Sequence, residues 1–153
     1  MLQQLMANRI LWIALSASLA AQAIKFMLVY FRSGQLDFAL LVQTGGMPSS
    51  HAALVTALAV GVGLQEGWDS LLFAATVVFA LIVMYDAAGV RQAAGKHARV
   101  LNRLREEFFE EDQLLDEPYL KERLGHTPIQ VVVGSILGIF CILISNWIWP
   151  GVG

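Results

Sequence analysis

Five ionisable side chains stand in or beside apolar segments, where a charge is costly: Lys25, Arg32, His51, Arg91 and His97. Such groups are functional candidates by default. The most informative stretch is Gly45-Gly46-Met47-Pro48-Ser49-Ser50-His51. Its glycines permit a tight backbone, Pro48 suits a first helical turn, and an apolar helix is expected to follow at once. A helix N-terminus offers unpaired N–H groups to an anion. Ser49 and Ser50 add hydroxyl donors, and His51 sits one residue further in. Each residue alone also has a plainer reading. Lys25 and Arg32 suit snorkelling at a span boundary, Arg91 a charge anchor, His97 packing, and the 45–51 stretch a capped helix start.

Order and spacing carry more than any single residue. Six residues separate Lys25 from Arg32, Pro-Ser-Ser-His follows at 48–51, and five residues separate Arg91 from His97. This resembles the three-part signature of the type 2 phosphatidic acid phosphatases and vanadium-dependent haloperoxidases: Lys-x6-Arg-Pro, Pro-Ser-Gly-His and Ser-Arg-x5-His-x3-Asp. Gly-Gly-Met-Pro-Ser-Ser-His, with Tyr-Asp-Ala-Ala-Gly-Val-Arg and Gly-Lys-His further on, is more similar to the divergent bacterial and plant branch. The resemblance runs from Lys25 to about Pro128. It implies a membrane phosphatase acting on a lipid phosphate or diphosphate, with neither metal nor cofactor. By the same resemblance Lys25, Arg32, Arg91, Ser49 and Ser50 hold the phosphoryl oxygens. His97 attacks phosphorus to give a phosphohistidine, and His51 protonates the leaving oxygen.

The chain departs from the superfamily pattern at four places. Ser33 follows Arg32 instead of proline, Ser50 replaces glycine, Val90 replaces serine, and Leu101 stands where an aspartate orients the nucleophilic histidine. Asn102 points about 100° away from that position on a helix, so Asp86 is the carboxylate expected to take over. The missing aspartate motivates an alternative, a non-catalytic protein that binds or carries a lipid phosphate. Nothing indicates halide or peroxide chemistry. His126 is a further candidate for the site, with packing or interface placement as its plainer reading. The acidic run Glu106, Glu107, Glu110, Glu111 and Asp112 reads as a solvated helix face rather than a metal site.

The elements that must hold these residues are membrane helices. Of 153 residues 57% are apolar and 14% charged, with mean hydropathy +0.62; soluble domains carry about 25% charge. This excludes disorder, and a net charge of −2 argues against a nucleic-acid partner. The single Cys141 excludes an internal disulfide, and no Cys/His spacing suggests zinc. The expectation is an all-α, single-domain polytopic bundle with about four transmembrane helices, at about 10–31, 48–65, 70–88 and 128–149. A polar helical loop is expected over about 90–125, where His97, Leu101, Leu104 and Phe108 form one apolar stripe suited to the membrane surface or the span ends. Glu117-Pro118 is its expected break, Gly125 its stop, and Thr127-Pro128 the start of the last span. Arg9 and Ala21-Gln22-Ala23 imitate a secretory signal, but apolar character continues past that site.

Alternating spans put Trp12, Trp68, Trp147 and Trp149 on one face and Tyr30, Tyr85 and Tyr119 towards the other, as interfacial belts require. Among the cations only Arg9 lies on the Trp face. The positive-inside rule therefore places the Tyr face, and the candidate site, in the cytoplasm. Four spans offer few walls for a site, which makes a homo-oligomer a further expectation.

Overall fold

A computed structural model describes residues 2–34, 45–108, 119–122 and 124–149, the Arg32 side chain excepted. Short helix α1 (Leu2–Ala7) leads into α2 (Arg9–Ser33), followed by α3 (Ser50–Glu66) and α4 (Leu71–Tyr85). A π-helical segment (Asp86–Val90) joins α4 to α5 (Arg91–Phe108), and α6 (Pro128–Ile148) closes the chain. The described residues contain no strand. Local chemistry sets the helix starts: the side chains of Asn8, Ser49 and Ser70 accept from Leu11, Ala52 and Phe73 N–H groups. Thr127 and Gln130 form a reciprocal capping box with Pro128 in the first turn, as the Thr-Pro pair leads one to expect.

Helix α3 lies at the centre, packed against α2, α4 and α6. It can do so because its inward residues are small: Ala52, Ala53, Ala57, Ala59, Gly61 and Gly63 are all buried. Against it α2 sets a buried stripe of Ile10, Ala14, Ala17 and Ala21, and the next step of that stripe is Lys25. Gly134 and Gly138 bring α6 into backbone contact with α3. A Cβ on Gly134 would stand 2.3 Å from the Ser49 carbonyl, and one on Gly138 2.4 Å from that of Ala53. Lipid supplies no hydrophobic drive between helices, so this close packing of small residues holds them together.

The large apolar side chains face outward instead. Leu81, Ile82, Ile136 and Phe140 are all more than half exposed, a surface that suits lipid and not water. Among the described residues three helical stretches are long and apolar enough to cross a membrane: Arg9–Phe31, Leu71–Phe108 and Pro128–Ile148. Helix α3 has 17 residues, at the short end of the spanning range of about 17–25. The chain is an all-α integral membrane bundle. The Arg9 guanidinium donates to the carbonyls of Trp149, at 2.7 Å, and Ser145. The start of α2 and the end of α6 therefore share one end of the bundle.

Two expectations about the polar region need correction. The third span and the surface helix are expected as separate elements, yet Leu71–Phe108 is one helical stretch of 38 residues, about 57 Å long. Nothing in Ala87-Ala88-Gly89-Val90 stops a helix: alanine favours one, and a single glycine costs only about 1 kcal/mol. The fall in hydropathy there marks where the rod leaves the apolar layer, not where it ends. Helicity also does not reach residue 125, because 119–122 and 124–127 are non-helical. They run back along α5. The Asn102 side chain donates to Leu120 O and Glu122 Oε1, both at 2.9 Å, and accepts from Leu120 N–H at 3.1 Å. Helix α5 thus buries Gly95, Ala98 and Asn102, and the stripe of His97, Leu101, Leu104 and Phe108 is exposed. The expected break at Glu117-Pro118 lies outside the described residues, as do Glu110, Glu111 and Asp112.

Candidate active site

The site is assembled where three chain segments meet at one end of α3. The first is the loop entering that helix. Pro48 precedes the cap instead of occupying the first turn, and Ser49 is the N-cap. The Ser49 hydroxyl accepts from Ala52 N–H, and its own N–H donates to Gln130 O at 3.1 Å. The Ser49 amide is therefore committed to α6. The first-turn amides of Ser50 and His51 are the donors that remain for an anion. Gly46 has φ +85°, and a Cβ there would lie 2.9 Å from Lys25 Cδ. Only a glycine lets this loop close over the lysine stem.

Lys25 does not snorkel outward. It continues the buried alanine stripe of α2 and is 5% exposed, on the face turned to α3. Arg32 lies two turns further along α2, in its last turn, and its side chain is outside the described residues. His51, in the first turn of α3, is half-buried. The charges of Arg91, Asp86 and Lys25 all act on its ring.

The second segment is the π turn between α4 and α5. The Arg91 amide reaches past the Ala87 carbonyl to bond that of Asp86, a widened turn of the kind often found at functional positions. The Asp86 carboxylate accepts from Arg91 Nε at 2.8 Å. Asp86 is expected to orient His97; here it orients Arg91. That bond uses one guanidinium N–H and leaves the two terminal NH2 groups for phosphoryl oxygens.

The third segment is the approach to α6, and it brings in His126. This residue is 3% exposed and is held from two sides. Its backbone N–H donates to Ala87 O at 2.8 Å, and its ring Nδ1 to Gly46 O at 3.2 Å. Its ring centroid lies 5.9 Å from that of His51, with the planes at 65°. Burial pushes the His126 pKa down from its ordinary value; the Gly46 carbonyl opposes this, and the charge of His51 adds to it.

Lys25, Ser50, His51, Asp86, Arg91 and His126 are thus gathered around the start of α3. His97 is not among them. It is exposed on α5 and makes no hydrogen bond, ion pair or ring contact with the described residues. It stands six positions after Arg91, about 9 Å along the helix axis and about 120° around it. The residue that sequence reasoning underweights is His126, and its local signal was a histidine directly before the Thr127-Pro128 helix start. Among the described residues no group of three or more His, Cys, Asp or Glu side chains is placed to hold a metal ion. What the cluster offers is fixed positive charge, two helix amides and two imidazoles, a set suited to binding a phosphoryl group and moving a proton to or from it.

Residues 6–141 match the profile of a family described as "Divergent PAP2 family". The chain is also 42% identical over 151 residues to the "Uncharacterized membrane protein YuiD" of Bacillus subtilis (strain 168), with 92% of this chain and 96% of that protein covered. No solved structure matches.

Proposed function

This chain belongs to the divergent PAP2 family, and we propose that it hydrolyses the phosphate or diphosphate of a membrane lipid through a phosphohistidine, without a metal. The observation that carries this reading is the convergence of Lys25, Arg91 and the α3 N-terminus on His51. The two cations and the Ser50 and His51 amides would hold the phosphoryl oxygens, with Asp86 keeping Arg91 in place. His51 would protonate the leaving oxygen. Arg32, Ser49 and Ser50 would keep the anion-binding parts that the family motif implies, Ser49 through its hydroxyl alone. Because the cluster lies at the ends of membrane helices, the lipid tail can stay in the bilayer while the headgroup reacts. With alternating spans, the sequence assigns nine of the ten cations to the side of the cluster, which would favour a cytoplasmic active face.

The motif resemblance gives the attack on phosphorus to His97. Its exposure favours a second reading, in which the chain binds or carries a lipid phosphate without turnover. Phosphate release from phosphatidic acid and from an isoprenyl diphosphate in phosphatidylcholine vesicles separates the two. The hydrolase reading expects release by the purified chain and its loss in His51→Ala. Binding with no release, weakened by Arg91→Ala, would establish the carrier instead.

A further inference from the structure

We infer that His126, and not His97, is the residue whose ring attacks phosphorus. The inference rests on the hydrolase reading and departs from the motif only in this assignment. It starts from the ring's tautomer. A carbonyl oxygen can only accept, so the bond between His126 Nδ1 and Gly46 O requires the proton on Nδ1. In the neutral ring Nε2 then carries the lone pair, the state a nucleophilic or metal-binding imidazole needs. His126 Nε2 is buried and makes no hydrogen bond of good geometry among the described residues, the Gln130 side chain being the other polar group that acts on this ring. Buried polar atoms are nearly always satisfied.

A second observation is independent of the first. His51 Nδ1 is likewise buried without a partner, and the two rings are 5.9 Å apart. The rings adjoin, so a group bound alongside the pair could reach both nitrogens, and the neighbouring charge shows its sign. Lys25 acts on both histidines, and of the Arg91–Asp86 pair the arginine acts more strongly on His51 than the carboxylate does, so an anion is favoured. The burial of His126 favours the neutral ring, the form that attacks, and the positive ring formed by attack keeps its hydrogen bond to Gly46 O.

The step balances within the site. The Nε2 lone pair forms a bond to phosphorus while the bond from phosphorus to the leaving oxygen breaks, its electron pair staying on that oxygen. The leaving oxygen takes a proton from His51. Water then gives a proton back to His51 as its oxygen attacks phosphorus. The P–N bond breaks, its pair returns to Nε2, and inorganic phosphate leaves.

The test uses the full chain in phosphatidylcholine vesicles with phosphatidic acid labelled on its phosphate, quenched in alkali because phosphohistidine is acid-labile. In the wild-type chain the label should map to His126. His126→Asn keeps an amide donor for Gly46 O and removes Nε2. It should lose release on the order of a thousandfold and all label, with an unchanged melting temperature. His97→Asn should keep both the label and the rate. Label on His97 or His51, turnover without label, or release by His126→Asn within about tenfold of wild type overturns the assignment while leaving the hydrolase reading intact. Absence of release from the wild-type chain brings down both. Because the label is located on the wild-type chain, the result does not depend on any variant folding.

Discussion

The start of α3 and the face of α5 carry the two histidines of the same motif, yet they are built in opposite ways. Around His51 every neighbour is constrained. Ser49 is bonded to α6, Gly46 closes over Lys25, Asp86 holds Arg91, and His126 is tied to both the loop and the π turn. Around His97 nothing is constrained, and its apolar companions Leu101, Leu104 and Phe108 are exposed. The difference teaches that motif spacing along a chain does not by itself place two side chains together. A continuous helix from Leu71 to Phe108 fixes the angle between Arg91 and His97, and that angle turns His97 away. A site needs groups held to within about 0.5 Å by packed surroundings, and only one of the two regions supplies them.

Four changes probe this contrast, in falling order of effect. Gly134→Leu drives a side chain into the Ser49 carbonyl, 2.3 Å from the first added carbon. It should separate α6 from α3 and leave little folded protein by size-exclusion chromatography in detergent. A well-folded, active variant would show that the α3–α6 contact does not build the site. Asp86→Asn removes the carboxylate from Arg91 and should lower phosphate release by about tenfold through loss of one charge-assisted hydrogen bond. The loss should appear mainly as weaker substrate binding. If instead the pH profile of the reaction moves while binding is unchanged, Asp86 acts on a histidine.

Asn102→Ala strips three hydrogen bonds from the segment lying on α5. It should destabilise the chain by about 1–3 kcal/mol, read as a lower melting temperature with near-normal turnover. Acid should loosen the same segment. The hydrogen bond from Asn102, helped by Arg99, lowers the Glu122 pKa. A carboxyl depressed in the folded state stabilises above its unfolded pKa, and that contribution fades as pH falls through the folded value. Amide exchange at 119–122 should therefore rise at acid pH before exchange in α3 does; simultaneous opening would contradict this. The smallest effect is expected from Leu101→Asp, which restores the superfamily carboxylate beside His97. On an exposed face it should change release by less than about twofold, and a large gain would return the nucleophile to His97.

Much of this was legible in the residues themselves. Helix starts are local events, so Ser49 and the Thr127-Pro128 pair could be read where they stand. That the chain is built of apolar membrane helices followed from where charge is absent. Lys25 carries a local signal beyond snorkelling: the small residues at 14, 17 and 21 recur with a period that carries residue 25 onto the buried face. Other features depend on partners far along the chain. His126 gains its meaning from Gly46, 80 residues earlier, and from Ala87, and no local pattern reports either contact. The α5 stripe was correctly periodic, but periodicity does not say which face packs. The returning segment approaches the narrow side, at Gly95, Ala98 and Asn102, because only small or hydrogen-bonding residues admit a backbone there.

The most direct measurement is the initial rate of phosphate release from phosphatidic acid vesicles by the wild-type chain, His51→Ala and His97→Ala, side by side at equal folded concentration. The account predicts release by the wild type, loss on the order of a thousandfold in His51→Ala, and a His97→Ala rate within about twofold of wild type. Equal losses in the two variants would contradict it, placing the chemistry on α5 beside His97 rather than in the cluster at the start of α3.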